Sequence, residues 1–261
     1  MKKKYYITTP IYYPSAKPHM GHAYSSISTD FIARYKRLEG FDVEFVTGTD
    51  EHGQKIQKSA KKKNLPPLDF CNKISKVFLD LGKVLNLSNT DFIRTTENRH
   101  YKTVQKLWKI LEEKKFIYLS KYSGWYSISD EAFYSESEII DKENIKLCEA
   151  TGSIVEWVEE ESYFFKLSEF QDILIKHYED NPDFIQPASR RNEVISFVKD
   201  GLKDLSISRN SFKWGIPVPN SKDHIIYVWL DALANYLTAS NYDEENSFWP
   251  ADVHVIGKDI L

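Results

Sequence analysis

The sequence predicts an α/β protein built on a parallel sheet, and three features near its start carry this prediction. An apolar run at 5–9 ends in a proline-containing turn, apolar residues then recur every three or four positions from Met20, and a second alternating run follows at 42–46. Periods of about 3.6 and about two residues indicate helix and strand. A strand, a helix and a strand in so short a stretch form a βαβ unit, whose strands lie parallel with a right-handed crossover.

The composition is typical of a globular protein. The chain has 261 residues, of which 41% are hydrophobic and 28% charged, enough for one large domain or two smaller ones. Its apolar runs fall short of the roughly 20 residues that a membrane span needs, and its basic start lacks the apolar stretch of a signal peptide. We therefore expect a cytoplasmic protein without a membrane partner. The net charge of −3 does not indicate nucleic acid, and two cysteines are too few for a disulfide framework.

The turn after the first strand is a candidate phosphate site. Prolines at positions 10, 14 and 18 block helix formation upstream, so the helix begins only at His19-Met20-Gly21-His22. The first backbone N–H groups of a helix lack internal partners and carry positive potential. The side chains of His19 and His22 share one helical face, where both can donate to one phosphate. Two surface histidines at a helix start are the alternative interpretation.

The second predicted strand ends in Thr47-Gly48-Thr49 and leads into Asp50. Ligands of parallel sheets bind outside the carboxyl ends of the strands. Both the histidine turn and Asp50 lie at such ends, so we expect them in one crevice. At Asp50 the alternative to ligand binding is a helix N-cap.

The remaining chain divides into segments of different residue composition and periodicity. Helical patterns surround a short strand-like segment at 91–94, and the sequence then becomes aromatic and β-rich before two further helical patterns. We interpret 1–113 as the first half of the sheet-containing domain, 114–225 as an inserted β-rich domain, and 226–261 as the incomplete start of the second half.

The last of these segments returns to the sheet. Residues 225–230 read as a buried strand that leads into a helix through 234–237, and 253–256 read as a strand followed by a turn at Gly257.

Several blocks of the sequence resemble the methionyl branch of the class I aminoacyl-tRNA synthetases. The block at 19–22 resembles the HIGH signature of that class, with Thr9-Pro10-Ile11-Tyr12-Tyr13 before it and Gly48-Thr49-Asp50-Glu51-His52-Gly53 after it. Further matching blocks lie at 204–209, 227–232 and 256–259, in the order that the family has. A single HxGH is weak evidence, whereas several ordered blocks are strong evidence.

The resemblance implies a Rossmann-like parallel sheet of the HIGH-type nucleotidyl transferase fold, with an inserted connective domain. It also implies methionine–tRNA ligase activity: L-methionine is activated by ATP, bound with Mg²⁺, to methionyl-adenylate and then transferred to tRNA(Met). Because the methionine carboxylate itself attacks phosphorus, the protein aligns the reactants and stabilises charge.

The family pattern also assigns roles to single positions. It assigns catalysis to His19, His22 and Arg209, with Arg209 as a partner for Asp50 or a phosphate; a generic surface arginine is the alternative there. It assigns ATP binding to His19, Gly21, His22, Gly257 and Asp259. Gly21 would leave room for the nucleoside.

The resemblance assigns the methionine pocket to Ile11, Tyr13, Asp50, Trp229, Ala232 and Tyr236, with Asp50 on the amino group. Aromatic rings suit a thioether, at ~0.3–1.5 kcal/mol per contact. Trp229, Ala232 and Tyr236 have the spacing of one helical face, which ordinary core residues also show. Two alternatives stay open: a class I synthetase for another apolar amino acid, and a non-catalytic module that binds a nucleotide or an amino acid.

The sequence departs from the family pattern in two places. Many members hold zinc in CxxC knuckles, but 124–131 contains no cysteine, so we expect no zinc or other metal ligands. Complete members continue into a KMSKS loop and an anticodon-binding domain, and this sequence contains neither. We therefore expect the N-terminal part of such an enzyme, without full activity on its own.

Overall fold

The computed structural model describes residues 2–130, 132–142, 145–257 and 260. The helices are α1 (Met20–Leu38), α2 (Gln54–Lys62), α3 (Pro67–Val84), α4 (Asn98–Glu113), α5 (Gln171–Asp180), α6 (Ala188–Lys199), α7 (Val228–Leu233) and α8 (Asn235–Ala239). The strands are β1 (Lys4–Tyr12), β2 (Asp42–Thr49), β3 (Asp91–Arg94), β4 (Ile117–Ser127), β5 (Ala132–Tyr134), β6 (Ile139–Lys142), β7 (Ile145–Cys148), β8 (Glu156–Phe165), β9 (Leu205–Ser206), β10 (Ser208–Arg209), β11 (Ile225–Ile226) and β12 (Val253–His254).

The central sheet has the order β12-β1-β2-β3, and each neighbouring pair is parallel. Ile7 lies at its centre, paired with Phe45 on one side and Val253 on the other, and it is fully buried. Strand β1, helix α1 and strand β2 form the predicted βαβ unit. The predicted parallel α/β fold is therefore confirmed, including the late return of the chain to the sheet at β12.

Two local features shape the site end of this sheet. The β1–β2 register shifts between Thr8 and Ile11, where Pro10 has no N–H to donate to the ladder. On the other side of β2, Gly48 lies opposite Ile93, and a Cβ at position 48 would sit 2.0 Å from the Ile93 carbonyl oxygen. Only glycine permits this close approach of two strands.

Helix α1 turns polar and small residues toward the sheet. Ser26, Thr29, Asp30 and Ala33 are buried, and Asp30 accepts hydrogen bonds from the backbone and the hydroxyl of Ser88 (2.7 and 2.5 Å). The apolar residues whose spacing predicted the helix lie on its outer side and are exposed: Met20, Tyr24, Ile27, Phe31, Tyr35 and Leu38. We call these six residues the outer stripe of α1.

An antiparallel sheet of order β5-β4-β8-β9 follows α4, together with the β6–β7 hairpin and the packed helices α5 and α6. This agrees with the predicted β-rich texture, although the boundaries 114 and 225 stay predictions. A shared apolar core joins this region to the first: Trp108 of α4, fully buried, lies in one cluster with Ile117, Ile207 and Ala234.

The predicted strand at 225–230 is wrong in its second half. Strand β11 has only two residues, and α7 begins at Val228 with Tyr227 as its N-cap. The amides of Leu230 and Asp231 both donate to the Tyr227 carbonyl (3.1 Å each). A short apolar run has no period that separates a strand from a buried helix.

In the described part of the chain, no helix combines the length and apolar character that crossing a membrane requires.

Candidate active site

The candidate site lies at the carboxyl edge of the central sheet. Strand β1 ends at Tyr12 and strand β2 at Thr49, directly before Asp50. The Asp50 backbone N–H donates to the Tyr12 carbonyl (3.0 Å), which joins the two loops. The histidine turn and Asp50 therefore lie at the same edge of the sheet, the edge at which parallel sheets bind ligands.

The two histidines cap helix α1 reciprocally. The backbone N–H of Gly21 donates to Nδ1 of His19 (3.1 Å), and the backbone N–H of His19 donates to Nδ1 of His22 (3.0 Å). The ring centroids lie 3.9 Å apart. This is the capping-box arrangement, with imidazoles in the roles that hydroxyl and carboxylate groups usually have.

This capping changes how an anion would be bound. The sequence argument relied on free backbone N–H groups at the helix start, but those of His19 and Gly21 already have imidazole acceptors. Because each Nδ1 accepts, the hydrogen of each neutral ring is assigned to Nε2. Each ring therefore keeps its Nε2–H group as a donor that it can offer to a phosphate.

His22 is held among aromatic rings. Its ring packs edge-on against Tyr12 (centroids 4.8 Å apart) and Phe78 (5.2 Å apart). Burial, and next the neighbouring His19, lower the pKa of His22 below its ordinary value, so the neutral ring dominates at pH 7. Sequence analysis did not single out Tyr12 and Phe78, because an aromatic residue in a strand or helix usually reads as core.

Gly21 leaves space for the His19 ring. A Cβ at position 21 would lie 2.9 Å from Cε1 of His19. The missing side chain thus lets the imidazole fold back over the helix start. The predicted space for a nucleoside beside Gly21 stays a prediction.

Three of the residues predicted to bind the amino acid, Asp50, Ile11 and Tyr236, interact with one another. Asp50 is 8% exposed. Burial raises the pKa of the Tyr236 hydroxyl to about 12 and the Asp50 charge adds to this shift, whereas hydrogen bonds from the Asn235 side chain and the Ile11 backbone oppose it. The Ile11 backbone therefore bonds to the Tyr236 hydroxyl, and the charge of Asp50 acts on the same hydroxyl.

The two residues after Asp50 anchor its loop. Glu51 is fully buried and accepts hydrogen bonds from Arg94 Nε (2.7 Å), Ser75 (2.5 Å) and Thr49 (2.7 Å). Burial alone would raise the pKa of Glu51, but bonds from Arg94, Ser75 and Thr96 hold it below its ordinary value. Glu51 therefore ties the loop to helix α3 and strand β3.

His52 carries the loop's other anchor. Its Nδ1 lies 2.7 Å from Asp231 Oδ2, and its backbone carbonyl accepts from the Tyr13 hydroxyl (3.3 Å). Asp50, His52, Val228 and Asp231 line one small cavity. Trp229, on the same helix as Val228, has an indole that is 43% exposed, and Ala232 is half-buried. Of the predicted pocket residues, Trp229 and Ala232 thus lie on the helix that Asp231 joins to the His52 loop, and Tyr13, which follows β1, bonds to that loop.

Arg209 has a buried setting inside the β-rich region. Its guanidinium is 3.7 Å from the Tyr227 ring centroid, its Nη1 donates to Ser206 (2.6 Å), and its Nε lies 3.4 Å from Glu160 Oε1. At 2% exposure it is not the surface arginine of the alternative interpretation. These partners give Arg209 a structural role, and its predicted partnership with Asp50 or a phosphate stays a prediction.

The predicted adenosine block is described in part. Gly257 is exposed, with no atom within 4 Å of a Cβ built on it, so it leaves open space. It follows strand β12, whose His254 bonds to Thr8 (2.7 Å) at the carboxyl edge. Asp259 lies outside the described residues. Their roles stay predictions.

Within the described ranges, no group of three or more His, Cys, Asp or Glu side chains could hold a metal ion. Cys71 and Cys148 are both free and buried. Absence of zinc stays a prediction, since seven residues lie outside those ranges.

The parallel sheet, the helix-capping histidines and the carboxylate at the next strand end are the features of a class I tRNA synthetase catalytic domain. A sequence profile of the family described as tRNA synthetases class I (M) matches residues 5–261. The predicted class is thereby confirmed.

Similar proteins narrow this class. The methionine–tRNA ligase of Rickettsia conorii is 57% identical over 100% of this chain and 51% of its own length. Mycobacterium tuberculosis methionyl-tRNA synthetase in complex with methionyl-adenylate has a TM-score of 0.95 at 51% identity, over 99% of this chain and 52% of that one. Its apo form gives 0.84 at 49% identity, over 100% of this chain and 51% of that one. The chain belongs to the methionyl family of these synthetases, and it spans about half the length of the relatives it matches.

Proposed function

We propose that this chain provides the methionine- and ATP-binding site of a methionine–tRNA ligase. The observation that carries the proposal is the shared carboxyl edge of the sheet: the buried Asp50 joined to the end of β1, its charge acting on Tyr236, and the Nε2–H groups of the two capping histidines at the neighbouring helix start. A carboxylate can hold the ammonium of an amino acid while imidazole donors hold the phosphates of ATP.

In this reaction the chain acts by alignment. The methionine carboxylate attacks the α-phosphorus, pyrophosphate leaves, and the two imidazoles stabilise the developing charge. ATP would bind as its Mg²⁺ complex. Transfer to tRNA(Met), in the cytoplasm, completes the proposed activity. The methionyl-adenylate named in the Mycobacterium tuberculosis structure supports this assignment.

The direct test is a titration of the chain with L-methionine, followed by tryptophan fluorescence, with L-leucine as the competitor. We expect methionine-selective binding that Asp50→Asn weakens about 10- to 100-fold, because a hydrogen bond to a charged group contributes about 1.5–3 kcal/mol. Asp42→Asn is the matched control, since Asp42 is an exposed aspartate at the opposite end of β2.

Other outcomes would support the alternatives. Stronger binding of leucine than methionine would indicate a synthetase for another apolar amino acid. Amino-acid binding that Asp50→Asn leaves unchanged would favour the non-catalytic module. Weak methionine-dependent ATP–pyrophosphate exchange would not, because the chain is expected to lack full activity on its own.

A further inference from the structure

Asp231 is a buried carboxylate that bonds to two imidazoles. It is 1% exposed; its Oδ2 lies 2.7 Å from Nδ1 of His52 and its Oδ1 lies 2.9 Å from Nε2 of His100. His100 is fully buried and His52 is 6% exposed. Burial alone would raise the pKa of Asp231, but the two rings more than offset it and lower the pKa to about 2. The ionised carboxylate therefore uses one oxygen for each ring.

The members of this network come from distant segments. His52 lies two residues after Asp50, His100 is on α4, and Asp231 is on α7, beyond the β-rich region. The outer ring nitrogens are also bonded: Nε2 of His52 to the Tyr101 hydroxyl (3.1 Å) and Nδ1 of His100 to the Thr238 hydroxyl of α8 (3.0 Å). The network thus connects the two parts of the chain that the β-rich region separates.

Helix α7 is held by partial apolar packing and by its aspartate. Asp231 is its buried residue, whereas Trp229 and Leu233 are 43% and 48% exposed. Leu230 and Val228 are partly buried against neighbouring core clusters, and the two hydrogen bonds of Asp231 add to these contacts. Trp229 and Ala232 lie on this helix next to Asp231, and the cavity beside it also contacts Asp50.

We propose that Asp231 is a positioning residue for amino-acid binding: it holds α7, with Trp229 and Ala232, in register with the loop that carries Asp50. This inference rests on the proposed function. Only a carboxylate offers an acceptor to each ring. An asparagine has one acceptor and one donor, so one imidazole must lose its bond, turn or change its tautomer together with its hydroxyl partner.

The test replaces Asp231 by asparagine and compares it with Asp30→Asn. Asp30 is the matched control because it is also a buried carboxylate with hydrogen bonds, from Ser88 and Arg34, but lies on α1 away from the cavity. We expect both variants to lower the melting temperature. Asp231→Asn should weaken methionine binding at least tenfold and reduce its preference over leucine, whereas Asp30→Asn should leave the affinity within twofold.

Equal losses of stability with unchanged methionine affinity in Asp231→Asn would overturn the proposal. If that variant does not fold, His100→Leu, which cannot donate to Asp231, removes one bond of the network and is expected to weaken methionine binding about threefold or more. Unchanged affinity in folded His100→Leu would also overturn it.

A second readout separates this inference from the proposed function. Failure of the wild-type chain to bind methionine would contradict the proposed function. The positioning of α7 by Asp231 could still be measured. We expect Asp231→Asn to shift the Trp229 fluorescence, identified by subtraction with Trp229→Phe, and the imidazole ¹⁵N resonances of His52 and His100. Unchanged Trp229 emission in the folded variant would refute positioning of α7 by Asp231.

Discussion

His19 and His22 each use one ring nitrogen to complete helix α1 and leave the other for a ligand. The Nδ1 atoms accept backbone hydrogens at 3.0 and 3.1 Å, which orients both rings before any phosphate arrives. Preorganised donors lose little freedom when charge develops. The same hydrogen bonds therefore serve helix stability and the proposed catalysis.

We predict that His22→Ala lowers the methionine-dependent ATP–pyrophosphate exchange that this chain retains about 10²-fold, because it removes one oriented donor. Methionine affinity should stay within twofold, since the ring lies at the proposed phosphate end. His177→Ala, an exposed histidine on α5, is the control. An equal loss in both variants, or a parallel loss of methionine affinity, would contradict the assignment.

Helix α1 was predicted correctly as a helix, but its packing against the sheet was not. The outer stripe has the period of a buried face, yet Met20 is 83% and Leu38 86% exposed. Serine, threonine and aspartate fill the inner face instead, where Tyr12 and Ser88 bond to them. The period identified the helix correctly, but it could not show which side meets the sheet.

The β2–β3 pair depends on a single glycine. We predict that Gly48→Ala destabilises the fold by more than about 3 kcal/mol, because the new Cβ would overlap a backbone carbonyl that no rotamer change can move. Chemical denaturation measures this. In the control Gly82→Ala on α3, the nearest atom to the added Cβ lies 3.8 Å away. That change should stabilise by up to about 1 kcal/mol. Equal effects would contradict the close-approach argument.

Across the whole molecule, buried carboxylates link distant segments and make stability depend on pH. The pKa values of Asp30, Glu51 and Asp231 are all lowered, because hydrogen bonds from their partners offset desolvation. A lowered carboxyl pKa adds stability above the unfolded pKa, and this stability is lost as the pH falls through the folded pKa. Glu44, whose pKa burial raises, opposes them.

We predict that the free energy of unfolding is nearly constant down to about pH 5 and falls between about pH 4 and pH 2. Glu51→Gln should be less stable than wild type at neutral pH, and the difference should shrink through that acid range. Urea titrations at several pH values measure it, with exposed Glu245→Gln as the control. A difference that stays constant with pH would exclude ionised Glu51 as its source.

The sequence alone established much of this protein. Local periods predicted β1, α1, β2 and the return at β12, because each depends on neighbours along the chain. Ordered motifs identified the family, and they placed His19, His22 and Asp50 at strand ends that the fold then brought together. These signals are short-range, so they can be read without a structure.

Only the tertiary structure decided which faces and partners these residues have. It turned the outer stripe of α1 outward, gave Arg209 a buried place beside Tyr227 and Glu160, and joined His52, His100 and Asp231 across up to 179 positions. Burial and hydrogen bonding arise when distant segments come into contact, and the local periodicity of the sequence does not show which segments do so. A lone aspartate within the apolar run 228–233 was the one sequence signal for Asp231, and its meaning depends on histidines far away in the chain.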